Sequence, residues 1–477
     1  MPAPKMQLLS EDDIKLIHEK ALEILEKVGV YFDNKNALQL LKSAGAKIED
    51  KVAKIPRDLV EACLKKTPSK IVLYDRNGKP YAEIGGDNVY FNPGSAATKI
   101  LDYGSRKARN PVVEDLVKLV RLVDALEYLK LQSTALVPSD VPVKLRDRIR
   151  LYIVLKNTTK PVVTGAFTVD GVHDMAKMLE IVLGEISKKP YAVFDVCPSP
   201  PLKWSYITSQ NLIDCAKKGI PVEIIPMPQF GATSPITIAG SLVQHHAEAL
   251  SGIVLAQLAR EGAPVIYGGS PCEFCMRYGT ANIVSPETLL LSSAYIEIAK
   301  YFNLPTHTYM AISDSKILDY QAGAEASMSA LVAVLKRINI VSGPGMLEFE
   351  NTQSLEKLVL DNEICGYVLR FARGFEINDD TLAIELFAKV GFKAIFLKER
   401  HTVRFLRKEH YFPKVFDRSP ISLWLSGKSL PALEKAHKVV EEILSTHEPE
   451  PLPSDVEKGL EKFFKSILAK YGVKPSL

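Results

Sequence analysis

At 477 residues with a formal net charge of +4, the chain is long enough for more than one core and too evenly charged to point to nucleic acid. Hydrophobic content of 47% and charged content of 24% are those of an ordinary globular protein. No apolar run approaches the ~18 residues of a membrane span, the first residues lack a basic-then-apolar leader, and six scattered cysteines are expected as reduced thiols. A cytoplasmic protein is the expectation.

Residues 1–86 read as an N-terminal extension. Ser10 with Asp13 opens a helix whose apolar positions Ile14, Ile17, Ala21, Ile24, Leu25 and Val28 keep helical spacing up to Gly29. A short helix over 36–43 follows. Asn77-Gly78 then sits between two alternating apolar runs, which predicts a β-hairpin.

From 87 to 375 the pattern repeats. Short strand-like runs begin near Val89, Tyr128, Pro161, Tyr191, Pro221, Pro264, Pro305 and Ile338. Each leads through a polar or Gly/Pro loop into an amphipathic segment, near Pro111, Val143, Gly171, Ser205, Pro235, Pro286, Tyr320 and Ser354. Asn110-Pro111 with Glu114 and Asp115 predicts a cap, a proline at the first helical position and acids in the first turn. Crossover helices force parallel pairing, and eight such units close a (β/α)8 TIM barrel. FNPGSAATK lacks the GxGxxG spacing of a dinucleotide turn, which counts against an open doubly wound sheet. Residues 376–477 return to helices, expected to pack on the outside of the barrel or on a partner subunit.

Ligands of parallel α/β folds sit beyond the strands' C-terminal ends. That rule selects Asn92, Lys99, Ser133, Thr134, Thr164, Asp195, Cys197, Glu223, Met227, Gln229, Tyr267, Tyr309, Ser313, Asp314, Lys316, Ser342, Glu348 and Glu350. The loop over 311–316 is expected to floor the active site. A carboxylate inside a strand, as Glu223 is, needs a partner or a function. Aromatic residues crowd the same edge, among them Trp204, Phe230, Tyr267 and Tyr309, and ring faces stabilise quaternary ammonium ions; each ring also has core packing as its plain use. Cys272 and Cys275 form one CxxC, with His307 as a third ligand on the next strand, short of the usual four for zinc. No metal site is expected. His245 and Glu248 share a helical face, with a helix–helix hydrogen bond as the expected use.

In LDYGSRKARNPVVEDLVKLVRLVDALEYL, VTGAF, CPSPPL, PVEIIPMPQFGATSPITIAGSLV, MRYGTANIVSPE, SDSKILDYQAG and GMLEFENTQSLEKLVLDNEICGYVLR, the chain resembles the trimethylamine methyltransferase family of corrinoid-dependent methylamine methyltransferases. The resemblance runs nearly end to end. It implies a (β/α)8 barrel, a methyl-donating amine at its C-terminal mouth, and cobalamin presented by a separate corrinoid protein rather than bound tightly by this chain. The archaeal trimethylamine enzymes carry pyrrolysine at a position equivalent to Ile312, give or take a residue or two; here ordinary residues run straight through. Family members without it resemble enzymes for quaternary amines such as glycine betaine.

The chemistry agrees. Methyl loss from a quaternary ammonium releases a neutral amine and needs no proton donor, so positioning carries the catalysis. The expected function is methyl transfer from a quaternary, betaine-type amine to Co(I) of a cognate corrinoid protein. Asp314, Glu223 and Lys316 are the expected catalytic or positioning groups, and Tyr309, Tyr267, Phe230 and Trp204 the cation contacts. Lys316 or Arg277 would pair a betaine carboxylate, and a homo-oligomer is expected. The competing readings are a trimethylamine enzyme, a metal-dependent methyltransferase using the CxxC, and a non-catalytic amine-binding barrel.

Overall fold

The computed structural model describes residues 3–393 and 395–473, which form a mixed α/β fold. Eight short parallel strands, β1 (Tyr90–Asn92), β2 (Gln132–Ser133), β3 (Val162–Thr164), β4 (Ala192–Val196), β5 (Val222–Ile224), β6 (Val265–Tyr267), β7 (His307–Tyr309) and β8 (Ile340–Ser342), alternate with eight helices. The helices are α1 (Val113–Ala125), α2 (Arg146–Asn157), α3 (Val169–Leu183), α4 (Tyr206–Lys218), α5 (Ile238–Ala259), α6 (Pro286–Tyr301), α7 (Tyr320–Leu335) and α8 (Leu355–Arg373). Strands β2 to β6 pair in chain order as one five-stranded parallel sheet, and β7, β8 and β1 as a three-stranded one. Single parallel bridges, Phe91 to Leu129 and Tyr267 to Thr306, join the two sheets at both edges, so no continuous closed sheet is formed.

Local chemistry sets the helix starts. Thr168, Ser205, Thr237, Ser285, Asp319 and Ser354 each accept a backbone N–H from the first turn of the following helix, which satisfies one of the orphan donors there. Helix α1 departs from the sequence expectation. It begins at Val113, two residues after Pro111, because Asp140 accepts Val113 N at 3.1 Å and Asp115 accepts Val112 N at 2.8 Å, while Asn110 accepts instead from Lys99 Nζ at 2.7 Å. A long-range carboxylate has replaced the local cap.

One cluster fills the space between the sheets: Val163, Val193, Ile266 and Ile340 from four of the strands, with Leu131 just before β2. The antiparallel hairpin Lys70–Tyr74 and Pro80–Gly85 closes it at the strands' N-terminal ends, adding Ile71, Leu73, Ala82 and Ile84. Each such side chain contributes ~1.5–3 kcal/mol on full burial. This plug covers the strands' N-terminal ends, where Tyr74 N donates to Pro190 O and Arg76 N to Thr159 O.

The N-terminal helix Glu11–Lys27 buries His18, Ala21, Leu22 and Leu25. His18 crosses to α5, where its Nδ1 lies 2.9 Å from His246 Nε2. After α8 the chain continues as short helices, Asp379–Leu382, Ile384–Val390 and Arg400–Glu409, then Ala432–Thr446 and Ser454–Lys470. The first two are divided at Ala383, which takes the left-handed conformation with φ +55°. No helix among the described residues is long and apolar enough to cross a membrane.

Candidate active site

Two strands deliver carboxyls to the same level of the interior. Asp195 on β4 and Glu223 on β5 are register partners, so their side chains leave the sheet on one face. Glu223 is fully buried and neither of its carboxylate oxygens has a hydrogen-bond partner; Asp195 Oδ1 also lacks one. Burial raises both groups, and mutual repulsion raises Glu223 further, so the pair keeps a proton well above the ordinary carboxyl range.

A second set comes from β7, β8 and β1, where Tyr309, Ser342 and Asn92 are in register. Ser342 Oγ donates to Asn92 Oδ1 at 2.8 Å. With its hydrogen used there, Ser342 accepts from His307 Nε2 at 3.1 Å. That assigns the Nε2–H tautomer and leaves His307 Nδ1 an acceptor without a partner. Burial pushes His307 down to about 3, so it is neutral. Glu223 Oε2 lies 3.6 Å from the same Nε2.

The loop after β8 supplies Glu350. Glu348, Phe349 and Glu350 adopt φ of +52°, +57° and +66°, three consecutive left-handed residues with no glycine among them. Such a turn costs of order 1–3 kcal/mol per residue and persists where surrounding structure enforces it. It brings Glu350 to Ser270, whose Oγ donates to Oε1 at 3.3 Å. Burial, with Asp314 nearby, pushes Glu350 up to about 8. Asp195, Cys197, Tyr309 and Glu350 keep part of their surface open, whereas Glu223 and His307 are closed off behind them. Burial and the surrounding carboxyls hold the Tyr309 phenol far above its ordinary range and push the Cys197 thiol up to about 12.

One buried cation acts on the Asp195 end of this cluster. Arg150, in the first turns of α2, is 1% exposed. Its Nε donates to Thr134 O at 2.9 Å and Nη2 to the same carbonyl, while the guanidinium lies 5.1 Å from the Phe167 ring centre. Burial lowers Arg150 to about 10, which leaves it charged at neutral pH, and Asp147, then Asp195 and Tyr309, act on it electrostatically in the opposite sense. Nη1 makes no hydrogen bond among the described residues.

The sequence profile described as trimethylamine methyltransferase (MTTB) matches residues 1–470. The chain belongs to the trimethylamine methyltransferase family. It is 33% identical over 466 residues to the glycine betaine methyltransferase of Desulfitobacterium hafniense strain Y51, covering 96% of this chain and 97% of that one. The trimethylamine methyltransferase MttB of Methanosarcina barkeri is 33% identical over 468 residues, covering 96% and 94%. The solved monomethylamine methyltransferase of Methanosarcina barkeri aligns at 14% identity with a TM-score of 0.49, over 95% of this chain and 94% of that one. The protein is a methyltransferase.

In this family member the residues singled out from sequence do not all converge. Tyr309 and Glu223 join the cluster. Trp204 is buried away from it, stacked on Phe32 with Nε1 donating to Ser251 Oγ at 2.9 Å. Tyr267 is 1% exposed and engages His246 Nδ1 at 2.8 Å. Phe230 is buried beside the strand Cys272–Cys275. Arg277 lies over the Tyr278 ring on the hairpin formed by Cys272–Cys275 and Thr280–Asn282. Lys316 Nζ donates to Asp314 O at 2.7 Å and covers the Phe349 ring, 4.1 Å from its centre. Asp314 accepts Ile283 N and Val284 N at 3.3 and 3.1 Å, pinning that hairpin's return, and burial raises it to about 6. Ile312 is fully buried. Among the described residues no three His, Cys, Asp or Glu side chains are grouped as metal ligands.

Arg150 is the residue that sequence reasoning missed. Its signal was present: RDRIRLYIVLKN sets arginines among apolar residues on more than one face of the helix, and both Arg148 and Arg150 are buried. An arginine there needs acidic or carbonyl partners.

Proposed function

We propose that this methyltransferase takes its methyl group from a quaternary, betaine-type amine and passes it to the reduced corrinoid of a partner protein. The observation that carries the reading is the pairing of a buried carboxyl cluster, Asp195, Glu223 and Glu350, with the one buried arginine beside it. A zwitterion matches that polarity: its ammonium faces the carboxyls and Tyr309, and its carboxylate takes the free Nη1 of Arg150. The aromatic share of cation binding is smaller than the sequence suggested, since Trp204, Phe230 and Tyr267 lie elsewhere. Orientation does the remaining work. The methyl carbon accepts an electron pair from the acceptor as its bond to nitrogen breaks, the pair stays on nitrogen, and a neutral tertiary amine leaves. No proton moves, so Ile312 in place of a reactive side chain fits this substrate class.

Two coarser readings accompany this one. The eight strand–helix units, with single bridges at both sheet edges, support a (β/α)8 barrel over 87–375, flanked by extensions over 1–86 and 376–477. The partly exposed Asp195, Cys197, Tyr309 and Glu350 lie where such a barrel has its mouth, the side from which a corrinoid protein would enter. Cytoplasmic residence follows from the reduced partner it serves.

Calorimetric titration with glycine betaine tests the binding half. An ammonium ion favours the ionised carboxyls, so binding at pH 7 should release protons, seen as heats that depend on the buffer's ionisation enthalpy. Affinity for glycine betaine no greater than for tetramethylammonium would remove Arg150 from its role.

A further inference from the structure

The loop between β7 and α7 holds both elements that deliver Glu350 to the site. On one side is the left-handed turn. Ser313 N donates to Met346 O at 3.2 Å and Glu348 N to Ser315 O at 2.9 Å, which ties the loop to the chain as it enters that turn. Lys316 Nζ, while donating to Asp314 O, lies 4.1 Å from the ring centre of Phe349, the turn's middle residue. On the other side is the hairpin of Cys272–Cys275 and Thr280–Asn282. The Asp314 carboxylate accepts Ile283 N at 3.3 Å and Val284 N at 3.1 Å where the hairpin ends. Ser270, just before its first strand, donates to Glu350 Oε1 at 3.3 Å. The loop has a brace of its own: Glu325 Oε2 on α7 accepts Ser313 Oγ at 2.7 Å and Asp314 N at 2.9 Å, and Ser329 Oγ accepts Ala311 N at 3.0 Å.

We propose that Asp314 is a positioning residue for methyl transfer: through the hairpin and the left-handed turn it places the Glu350 carboxylate against the substrate's ammonium, and it touches no substrate itself. This rests on the quaternary-amine reading of the site. Asp314 is 7% exposed and each of its carboxylate oxygens is taken by a backbone N–H of the hairpin. A left-handed run without glycine relaxes unless its neighbours enforce it, and the enforcing contacts to Glu348 and Phe349 come from this loop. Ser270 is the one hydrogen-bond partner of the Glu350 side chain among the described residues, so a shift of the hairpin removes it.

The consequence for turnover has a definite form. The ammonium loses its charge as the methyl group leaves, so a carboxylate facing it favours bound substrate over the transition state. Displacing Glu350 therefore raises KM and spares kcat. A residue that merely held the fold together would lower the share of active molecules, which reduces kcat at unchanged KM.

Steady-state methyl transfer by the full-length protein to a reduced Co(I) corrinoid protein tests this, with glycine betaine and tetramethylammonium as donors. Asp314→Ala should raise KM for both by about tenfold with kcat within about threefold of wild type. Glu350→Gln should raise KM by a similar factor, and the double variant should be no worse than Glu350→Gln alone, because residues acting through one another are not additive. Asp314→Asn keeps a single acceptor for the two N–H groups and should lie between wild type and Asp314→Ala, which covers the case of an alanine variant that fails to fold. Losses that multiply in the double variant, or a lower kcat at unchanged KM, would overturn the proposal. Urea unfolding at pH 7.5 adds a reading without substrate. The stability that Glu350→Gln gains in the wild type should vanish on the Asp314→Asn background, since a released turn lets water reach Glu350. A wild type that turns over neither amine would defeat the quaternary-amine reading and leave this cycle to decide the place of Asp314; an undiminished gain would overturn it.

Discussion

Asp195 and Glu223 stand side by side on neighbouring parallel strands, and no lysine or arginine lies within ion-pair distance of either carboxyl among the described residues. An arrangement of two unpaired buried acids lowers stability, which is a mark of functional positions. Glu223→Gln removes the repulsion between them. The expected outcome at pH 7.5 is a gain of about 1–2 kcal/mol in urea unfolding, together with a fall of tenfold or more in kcat/KM for a quaternary amine. A variant that loses both stability and activity would mean the pair is structural.

Arg150 and Lys316 separate by their surroundings. Arg150 is closed in beside the carboxyls, whereas Lys316 is spent on the Asp314 carbonyl and the Phe349 ring. Arg150→Gln should therefore raise KM for glycine betaine by roughly 30-fold or more, the cost of unpairing a buried carboxylate, and change KM for tetramethylammonium far less. Lys316→Ala should alter both substrates by a few-fold. Equal losses on both substrates for Arg150→Gln would indicate that it only holds Thr134.

Glu350 carries a pH signature. Its folded value of about 8 lies above the ordinary carboxyl value, so the folded chain keeps a proton that the unfolded chain has lost. Stability from this group is present below about pH 4 and falls as pH rises toward 8. Relative to wild type, Glu350→Gln should then gain stability between pH 5 and 8, by roughly 1 kcal/mol after solvent screening of a half-buried group. Thermal unfolding of the two proteins across that range checks the sign.

The N-terminal helix is held through histidines. His18 Nε2 lies 2.8 Å from Glu61, His18 Nδ1 meets His246, and His246 Nδ1 meets the Tyr267 hydroxyl at 2.8 Å. Burial holds His246 far below its ordinary range, so it is neutral and bridges as one donor and one acceptor. His246→Leu strands both neighbours and should cost about 2–4 kcal/mol in chemical unfolding, with little effect on KM if the cleft is independent of this helix.

Much of the strand–helix alternation was legible because most strands lie in or beside short apolar runs and most helices open on a side-chain cap. The start of α1 was not, since Asp140 supplies its cap from 27 residues away. The left-handed turn over Glu348–Glu350 was invisible for a related reason: none of its residues is the glycine or asparagine that signals positive φ. Aromatic residues near strand ends were read as cation contacts, yet Trp204 and Tyr267 are core groups, because large rings are buried wherever helices meet strands. Arg150 escaped because periodicity alone assigns a charged helical residue to solvent. Placement of Glu223 was readable, as a strand-centre carboxylate has few other uses.

Methyl transfer itself is the decisive measurement. The purified protein, mixed with a reduced Co(I) corrinoid protein and either glycine betaine or trimethylamine, is followed by the optical change from Co(I) to methyl-Co(III). Methylation from glycine betaine but not from trimethylamine is the predicted result. Methylation from trimethylamine alone would contradict the account, and would mean that a cleft group activates an amine whose leaving group must be protonated.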